Sequence, residues 1–285
     1  MICREEYGAL LRELGIVNIV LRVEGPRLAP LFLSPCPPDC EAADWVRRFD
    51  VIVAWKQGQE ADDLERNLLT LAGAEKCMFF HYRPGRPEPV SRHFYEHTAA
   101  ALAPGPRLQA GLTLDSCARL PAGKTQHAKA LKLTDAPKTG KRFVVVHPGS
   151  GGKAKVWPLG RFLDIIGRLG RKGVNGALVT GEAETDMDKI LQKEVWPAGW
   201  TWLRSPSLEA LCGLFNLASL YIGNDSGITH LAAACGSDVI ALFLEKNAAA
   251  WRPLGRVHLL SASSVALISV ETVWRTVEGR LRLSS

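Results

Sequence analysis

The chain has 285 residues, of which 47% are hydrophobic and 22% are charged, as in an ordinary globular protein rather than a disordered or collagen-like one. The longest stretch without a charged residue, 210–224, is shorter than the roughly 18–20 residues that a membrane-spanning helix needs. The N-terminus lacks a continuous apolar core followed by a small-residue cleavage site, so a secretory signal is not expected.

The formal net charge of +6 is concentrated in one segment. Residues 119–142 contain seven Lys or Arg residues and one Asp, so the rest of the chain is neutral overall. This basic connector contains no Phe, Tyr or Trp on which a base could stack, and nucleic-acid binding is not expected. An acidic ligand or an anionic membrane surface is compatible with it.

The seven cysteines favour a cytoplasmic protein with reduced thiols. Five of them stand alone in the sequence, and only Cys36 and Cys40 are close together. A zinc site would need two more ligands at a readable spacing, and none follows. We therefore expect no metal site in this chain.

The first half of the sequence predicts alternating helices and strands, beginning with a helix. The predicted order is a helix over 5–14, strands over 17–21 and 51–54, a helix over 64–71, a strand over 77–80 and a helix over 92–102. Doubly wound domains normally begin with a strand whose following loop faces the ligand. The pattern therefore indicates either a permuted fold or a chain that lacks the first strand–loop–helix unit.

The second half predicts a parallel, doubly wound sheet. Strands are predicted over 143–147, 177–180, 220–223 and 239–243, and helices over 158–170, 185–194, 207–218, 227–235 and 270–281. We expect an α/β protein with two Rossmann-like domains, residues 1–135 and 136–285, facing a cleft in which the ligand binds. The last helix is compatible with packing back on the N-terminal domain.

The first chemical motif is HPGSGGKAKVWP, residues 147–158, between a predicted strand and a predicted helix. Glycines let backbone N–H groups approach an anion, and the helix start and two lysines add positive charge. This combination suits a diphosphate. The motif is not a Walker A loop, because Ala154 follows Lys153, and the acid expected about 20 residues after a dinucleotide fingerprint is missing.

The second motif is GNDSGITHLAAACG, residues 223–236, again after a strand and before a helix. Asp225 and Ser226 are suited to cap the helix, Gly227 allows a ligand close to its first N–H groups, and His230 follows Ser226 by one turn. Since both motifs follow strands of one parallel sheet, both are expected at its carboxyl edge. Together they predict an anionic, nucleotide-containing ligand.

Acidic residues follow the strand predicted over 177–180. Glu182 or Glu184 could accept hydrogen bonds from ribose hydroxyls, although acids are equally typical of a first helical turn. Asp186 and Asp188 form an Asp-x-Asp pattern, but on a predicted helix away from the sheet-edge loops. We interpret that pair as a solvated helix face and not as a metal site.

The two motifs resemble those of the ADP-heptose:lipopolysaccharide heptosyltransferases, glycosyltransferase family 9. The sequence Trp251-Arg252-Pro253 is similar to a later W-x-P of the family, so the resemblance covers roughly residues 140–260. It implies a GT-B-like fold in which the C-terminal lobe binds the nucleotide-sugar donor and the N-terminal lobe binds the lipid acceptor. It also implies inverting, metal-independent transfer of heptose from ADP-heptose to the lipopolysaccharide inner core, with no cofactor.

The resemblance assigns donor-side roles to residues of both motifs. Ser150 and Gly151 would contact the diphosphate, Lys155 would neutralise it, and Glu182 or Glu184 would hold the ribose. The residues implied to line the donor's sugar and phosphates are Asp225, Ser226, Gly227 and His230. The implied location is the cytoplasm, with peripheral contact at the inner membrane.

The catalytic base is not assigned by the sequence. Family members open with a strand and a glycine-aspartate loop that carries the catalytic carboxylate, and no such segment precedes Glu5. The acids Asp44, Asp50, Asp62 and Asp63 fall on predicted helices or strand starts, and no spacing marks His81, His93 or His97 as a base. We therefore expect donor binding with slow or no transfer. A nucleotide-sugar-binding protein without transferase activity and a related enzyme acting on another nucleotide sugar stay open as alternatives.

Overall fold

The structure, a computed structural model, describes residues 1–23, 25–57, 62–82, 90–92, 96, 120, 123–134 and 142–283. The chain divides into two compact units, Met1–Leu114 and Asp115–Ser285. The sequence places the boundary later, near residue 135. A helix over Lys124–Leu131 falls between the two positions, and it belongs to the second unit because it packs closely against the helix Leu208–Leu217.

The first unit contains two pairs of parallel strands and three α-helices that are described from end to end. The strands are β1 (Ile2–Cys3), β2 (Leu21–Arg22), β3 (Ile52–Gln57) and β4 (Cys77–Tyr82), and the helices are α1 (Glu5–Glu13), α2 (Glu41–Arg47) and α3 (Asp63–Ala72). Strand β1 pairs with β2, and β3 pairs with β4. A small core around Leu28, Leu31, Val46 and Leu68 packs α2 and α3 together.

A strand precedes the first helix, which the sequence pattern did not predict. The backbone N–H of Leu21 donates to the carbonyl of Met1, and that of Val23 donates to the carbonyl of Cys3. Two residues are too few to show the alternation from which strands are recognised. Arg4 alone separates this strand from α1. His93, His97, the side chain of His81 and most of the helix predicted over 92–102 lie outside the described residues.

The second unit carries a six-stranded sheet and seven helices among its described residues. The strands are β5 (Phe143–His147), β6 (Asn175–Thr180), β7 (Trp200–Arg204), β8 (Leu220–Asn224), β9 (Val239–Leu244) and β10 (Val257–Ala262). The helices are α4 (Lys124–Leu131), α5 (Leu159–Arg171), α6 (Thr185–Leu191), α7 (Leu208–Leu217), α8 (Gly227–Ala234), α9 (Glu245–Trp251) and α10 (Val270–Leu281).

The six strands are all parallel and lie in the order β10-β9-β8-β5-β6-β7. Counted from β5, this is the Rossmann order, and the strand order reverses between β5 and β8. Ligands of such sheets bind in the crevice at the carboxyl ends of the strands at this switch point. Both sequence motifs follow the two strands that define it.

The predicted central strands are confirmed, whereas both edge strands were missed. Strands β5, β8 and β9 are buried along their whole length and β6 along nearly all of it, so they read as continuous apolar runs. The edge strands β7 and β10 are only partly buried and carry polar residues, so their pattern is weak. Helix α9 was also missed, because none of its residues is buried and it therefore has no apolar stripe.

The last helix is buried within the second unit. Its apolar residues Val273, Trp274, Val277 and Leu281 join the core that Phe162 and Ile165 of α5 also form. Within this unit the helix packs against α5 and β9, and its packing on the N-terminal domain stays a prediction. In the described part of the chain, no helix combines the length and apolarity needed to cross a membrane.

Candidate functional site

The loops that follow β5 and β8 are joined by direct hydrogen bonds. His147 and Gly223 are partners in the parallel register, so both loops leave the sheet side by side. The hydroxyl of Ser150 donates to the backbone carbonyl of Asp225 at 2.6 Å, and Nδ2 of Asn224 donates to the carbonyl of Pro148 at 2.7 Å. The two motifs found in the sequence therefore form one site at the switch point.

Asn224 connects both ends of the first loop, a role that sequence reasoning did not assign. Its side chain is fully buried, and its Oδ1 accepts a hydrogen bond from the backbone N–H of Trp157 at 3.1 Å. Trp157 is itself buried and donates through Nε1 to the carbonyl of Ile268 at 2.8 Å. Residues 148–157 are thus clamped by one amide side chain. The sequence signal for this role was Asn224 itself, a polar residue at the end of the otherwise apolar strand β8.

Lys155 is held at the site by a buried carboxylate. Its Nζ lies 2.9 Å from Oδ2 of Asp225, whose side chain is 7% exposed, while the lysine side chain is 36% exposed. The same carboxylate oxygen accepts a hydrogen bond of 2.8 Å from Nδ2 of Asn247 on α9. Lys153, by contrast, is exposed. Of the two lysines in the motif, Lys155 is therefore the one with a defined position.

The start of helix α8 is capped and open to a ligand. The Ser226 hydroxyl accepts a hydrogen bond from the backbone N–H of Thr229, as the sequence predicted for an N-cap. A methyl group added at Gly227 would meet no atom within 4 Å, and the same holds at Gly151. Since the first N–H groups of a helix have no partner within it, this end offers donors and partial positive charge to an anion.

Buried hydroxyl groups support the turn before α8. The Thr229 hydroxyl donates to the carbonyl of Asn224 at 2.5 Å and lies 3.0 Å from the hydroxyl of Tyr221. Burial raises the pKa of Tyr221, so its phenol stays protonated. These contacts hold the β8–α8 turn from beneath the site.

His230 is a neutral imidazole at neutral pH. Burial lowers its pKa and is the largest influence, opposed by the nearby negative charge of Asp225 and by a hydrogen bond to the backbone of Trp251. Lys155 lowers the pKa further. His230 thus lies near the Lys155–Asp225 pair and is anchored by the last residue of α9.

The two candidate ribose ligands occupy different environments. Glu184 is buried, and its Oε2 accepts a 2.6 Å hydrogen bond from the backbone N–H of Gly181. A Cβ placed on Gly149 would lie 2.0 Å from Oε1 of Glu184, so the carboxylate packs directly on the first motif. Glu182 is exposed at the end of β6. Glu184 therefore braces two loops, and Glu182 presents the accessible carboxylate.

A buried histidine adjoins Glu184. The Nε2 atom of His147 lies 3.9 Å from Oε2 of Glu184, and its Nδ1 is buried without a hydrogen-bond partner among the described residues. Burial lowers the pKa of His147 to about 4, so the ring is neutral. His147 is the last residue of β5 and directly precedes the glycine-rich loop.

The interpretation of Asp186 and Asp188 as a solvated face is wrong for Asp188. That side chain is buried and accepts a hydrogen bond from Arg204 at 2.5 Å, while the Arg204 guanidinium lies 5.4 Å from the Trp202 ring centroid. Helix α6 turns Asp188 toward β7, a strand that the sequence pattern did not reveal. Within the described residues, no group of three or more His, Cys, Asp or Glu side chains is placed to hold a metal ion.

The model of glycosyltransferase family 9 (heptosyltransferase) matches residues 73–266. A curated relative, lipopolysaccharide heptosyltransferase 3 of Escherichia coli, is 29% identical over 117 residues, which are 40% of this chain and 34% of the relative. The aligned part thus spans about a third of that protein's length.

Solved structures of the same family share the fold. A glycosyltransferase family 9 crystal structure from Veillonella parvula DSM 2008 superimposes with a TM-score of 0.77 at 16% identity, covering 99% of this chain and 88% of that one. The E. coli ADP-heptose lipopolysaccharide heptosyltransferase II gives a TM-score of 0.69 at 17% identity, with the same coverage of 99% and 88%. These likenesses show a GT-B-like α/β fold. Because the family model covers well over half of the sequence, the chain belongs to glycosyltransferase family 9.

Proposed function

We propose that this chain transfers a heptose from ADP-heptose to the inner core of lipopolysaccharide, with inversion at the anomeric carbon and without a metal ion or further cofactor. Family membership supports a glycosyl transfer, and the names of its relatives support both the donor and the acceptor. The single observation that carries the proposal is the joined pair of loops after β5 and β8, with Lys155 fixed between them.

The site is suited to a nucleoside diphosphate. The open glycines Gly151 and Gly227 allow backbone N–H groups to approach phosphate oxygens, and the start of α8 adds its partial positive charge. Lys155 supplies a full charge and retains free donors because only part of its ammonium group is used by Asp225. Glu182, exposed at the end of β6, is the proposed acceptor of hydrogen bonds from the ribose hydroxyls.

Charge stabilisation is the main task of these residues in the proposed reaction. As a general base takes the proton of the acceptor hydroxyl and the hydroxyl oxygen attacks the anomeric carbon, the bond to ADP breaks and negative charge grows on the diphosphate. Fixed N–H dipoles and a positioned ammonium group stabilise this charge without reorganising during the step. Asp225 keeps the ammonium group in place before the donor arrives.

The proposal also gives the chain a location. The lipopolysaccharide core is carried on a lipid, so transfer to it requires peripheral contact with the cytoplasmic face of the inner membrane. The basic segment 119–142 would favour such an anionic surface.

A turnover assay tests the proposal. The full chain is incubated with heptose-deficient lipopolysaccharide and either ADP-heptose or a matched UDP- or GDP-sugar, and the release of the corresponding nucleoside diphosphate is measured for each donor. Acceptor-dependent release from ADP-heptose alone supports the proposal and contradicts the sequence-based expectation of slow or no transfer, which rested on the unassigned catalytic base. Binding of ADP-heptose without turnover would instead indicate a nucleotide-sugar-binding protein, and turnover of a UDP- or GDP-sugar would indicate an enzyme acting on another nucleotide sugar. Either result overturns the proposal.

A further inference from the structure

We propose that Asn247 is a positioning residue for the donor diphosphate, acting through Asp225 on Lys155. The inference rests on the proposed function and adds a residue to its site. Asn247 lies on α9, beyond both sequence motifs and in a helix that the sequence pattern did not predict.

The contact is direct and converges on one atom. Nδ2 of Asn247 and Nζ of Lys155 lie 2.8 and 2.9 Å from the same oxygen, Oδ2 of Asp225. Two donors on one carboxylate oxygen fix the orientation of the carboxylate as well as the place of the ammonium group. Without Asn247, the carboxylate has one restraint fewer and Lys155 a less defined anchor.

The backbone places Asn247 at the site. Strand β9 pairs with β8, and the backbone N–H of Asp225 donates to the carbonyl of Leu242 at 3.1 Å. Helix α9 follows β9 without a break and so begins beside the β8–α8 turn. The same helix supplies the backbone partner of His230 through Trp251. Helix α9 thereby contacts Asp225 and His230 of the second motif.

The chemistry favours an amide at this position. An asparagine donates a hydrogen bond to Asp225 and brings no charge of its own. A second carboxylate here would repel both Asp225 and an incoming diphosphate, and a lysine would compete with Lys155 for the same oxygen. The amide therefore fixes the anchor while leaving the positive charge of Lys155 for the ligand.

A double-mutant cycle tests the proposal, with ADP as the probe and calorimetry on the full chain as the measurement. Asn247→Leu, which keeps the size but removes both donors, should raise the Kd for ADP roughly threefold to tenfold. In a Lys155→Ala background the same change should alter the Kd less than about twofold, because the group it positions is gone. The control Asn216→Leu removes a hydrogen bond of 2.9 Å to the Cys235 carbonyl, which lies at the C-terminal end of α8, opposite the end that faces these loops, and should leave the Kd unchanged.

The outcomes separate this inference from the proposed function. If Lys155→Ala weakens ADP binding but Asn247→Leu does not, or if Asn247→Leu has the same effect in both backgrounds, the positioning role is wrong and the donor site stands. If the unaltered chain does not bind ADP, the donor site and the positioning role both fail. Melting curves of each variant show whether a change in Kd accompanies unfolding, and a loss confined to unfolded material contradicts the proposal.

Discussion

Gly149 is expected to be intolerant of any side chain because Glu184 occupies the space beside it. A Cβ built on Gly149 would lie 2.0 Å from Oε1 and 2.3 Å from Cδ of Glu184. The carboxylate has little freedom to withdraw, since it is buried and accepts the 2.6 Å hydrogen bond from Gly181. Gly149→Ala therefore forces the Glu184 side chain off the Gly181 N–H or shifts the first loop.

The expected loss of stability follows from these contacts. Adding a methyl group to a packed site typically costs about 1–3 kcal/mol, and a unit of this size loses roughly 2–4 °C of melting temperature per kcal/mol. We expect Gly149→Ala to melt about 3–10 °C below the unaltered chain. Gly151→Ala is the matched control, because its methyl group would meet no atom within 4 Å, and its melting temperature should be unchanged.

A second substitution tests whether Glu184 is the cause of the lower melting temperature. Glu184→Ala removes the atoms that the new methyl group would strike, so Gly149→Ala/Glu184→Ala should melt at the same temperature as Glu184→Ala alone. Differential scanning calorimetry of the four chains measures this directly. If the effects of the two substitutions simply add, Glu184 does not pack on Gly149 and the described bracing of the two loops is wrong.

Two further predictions concern ligand access and pH. Gly227→Ala should keep the melting temperature of the unaltered chain, because its methyl group enters open space at the start of α8. The same methyl group should weaken ADP binding about tenfold, since it would meet only a ligand there. Tight ADP binding by this variant would mean that the phosphates bind elsewhere. Burial lowers the pKa of His147 from 6.5 to about 4. Between pH 6.5 and pH 4, the unfolded chain therefore binds a proton that the folded chain does not, and the free energy of unfolding falls by up to about 3 kcal/mol as the pH drops through this range. Urea unfolding at pH 7 and pH 4.5 should show that His147→Gln reduces this pH dependence, and an unchanged slope would contradict the assignment.

The sequence predicted the residues of the two loops better than the residues that hold these loops in place. The strands that carry the two loops are central, buried along their whole length and mostly apolar. The loops have capping residues and glycines with recognisable chemistry, so Ser150, Lys155 and Asp225 are brought together as expected. Other partners of the residues that the sequence analysis singled out come from elements whose hydrophobic pattern in the sequence is weak. Asn247 lies on a helix without an apolar stripe, and Arg204, the partner of Asp188, lies on a partly buried edge strand.

Sequence spacing also does not distinguish two acids that stand near each other. Glu182 and Glu184 were equivalent candidates for the ribose, and only tertiary packing buries one beneath Gly149 and leaves the other exposed. The two-residue strand β1 went unrecognised for a related reason, since its pairing with β2 is long-range and leaves no local signature. Both cases depend on contacts between residues that are distant in sequence.

The central claim is that the joined loops bind a diphosphate through Lys155, and ADP titration of the full chain tests it most directly. Calorimetry should show binding that weakens as salt rises. Lys155→Ala should raise the Kd about 10- to 100-fold, as expected for loss of a charge-assisted contact of about 1.5–3 kcal/mol, whereas Lys153→Ala should raise it only a few-fold through the general field. Equal, small effects of the two substitutions, or no binding at millimolar ADP, would contradict the account.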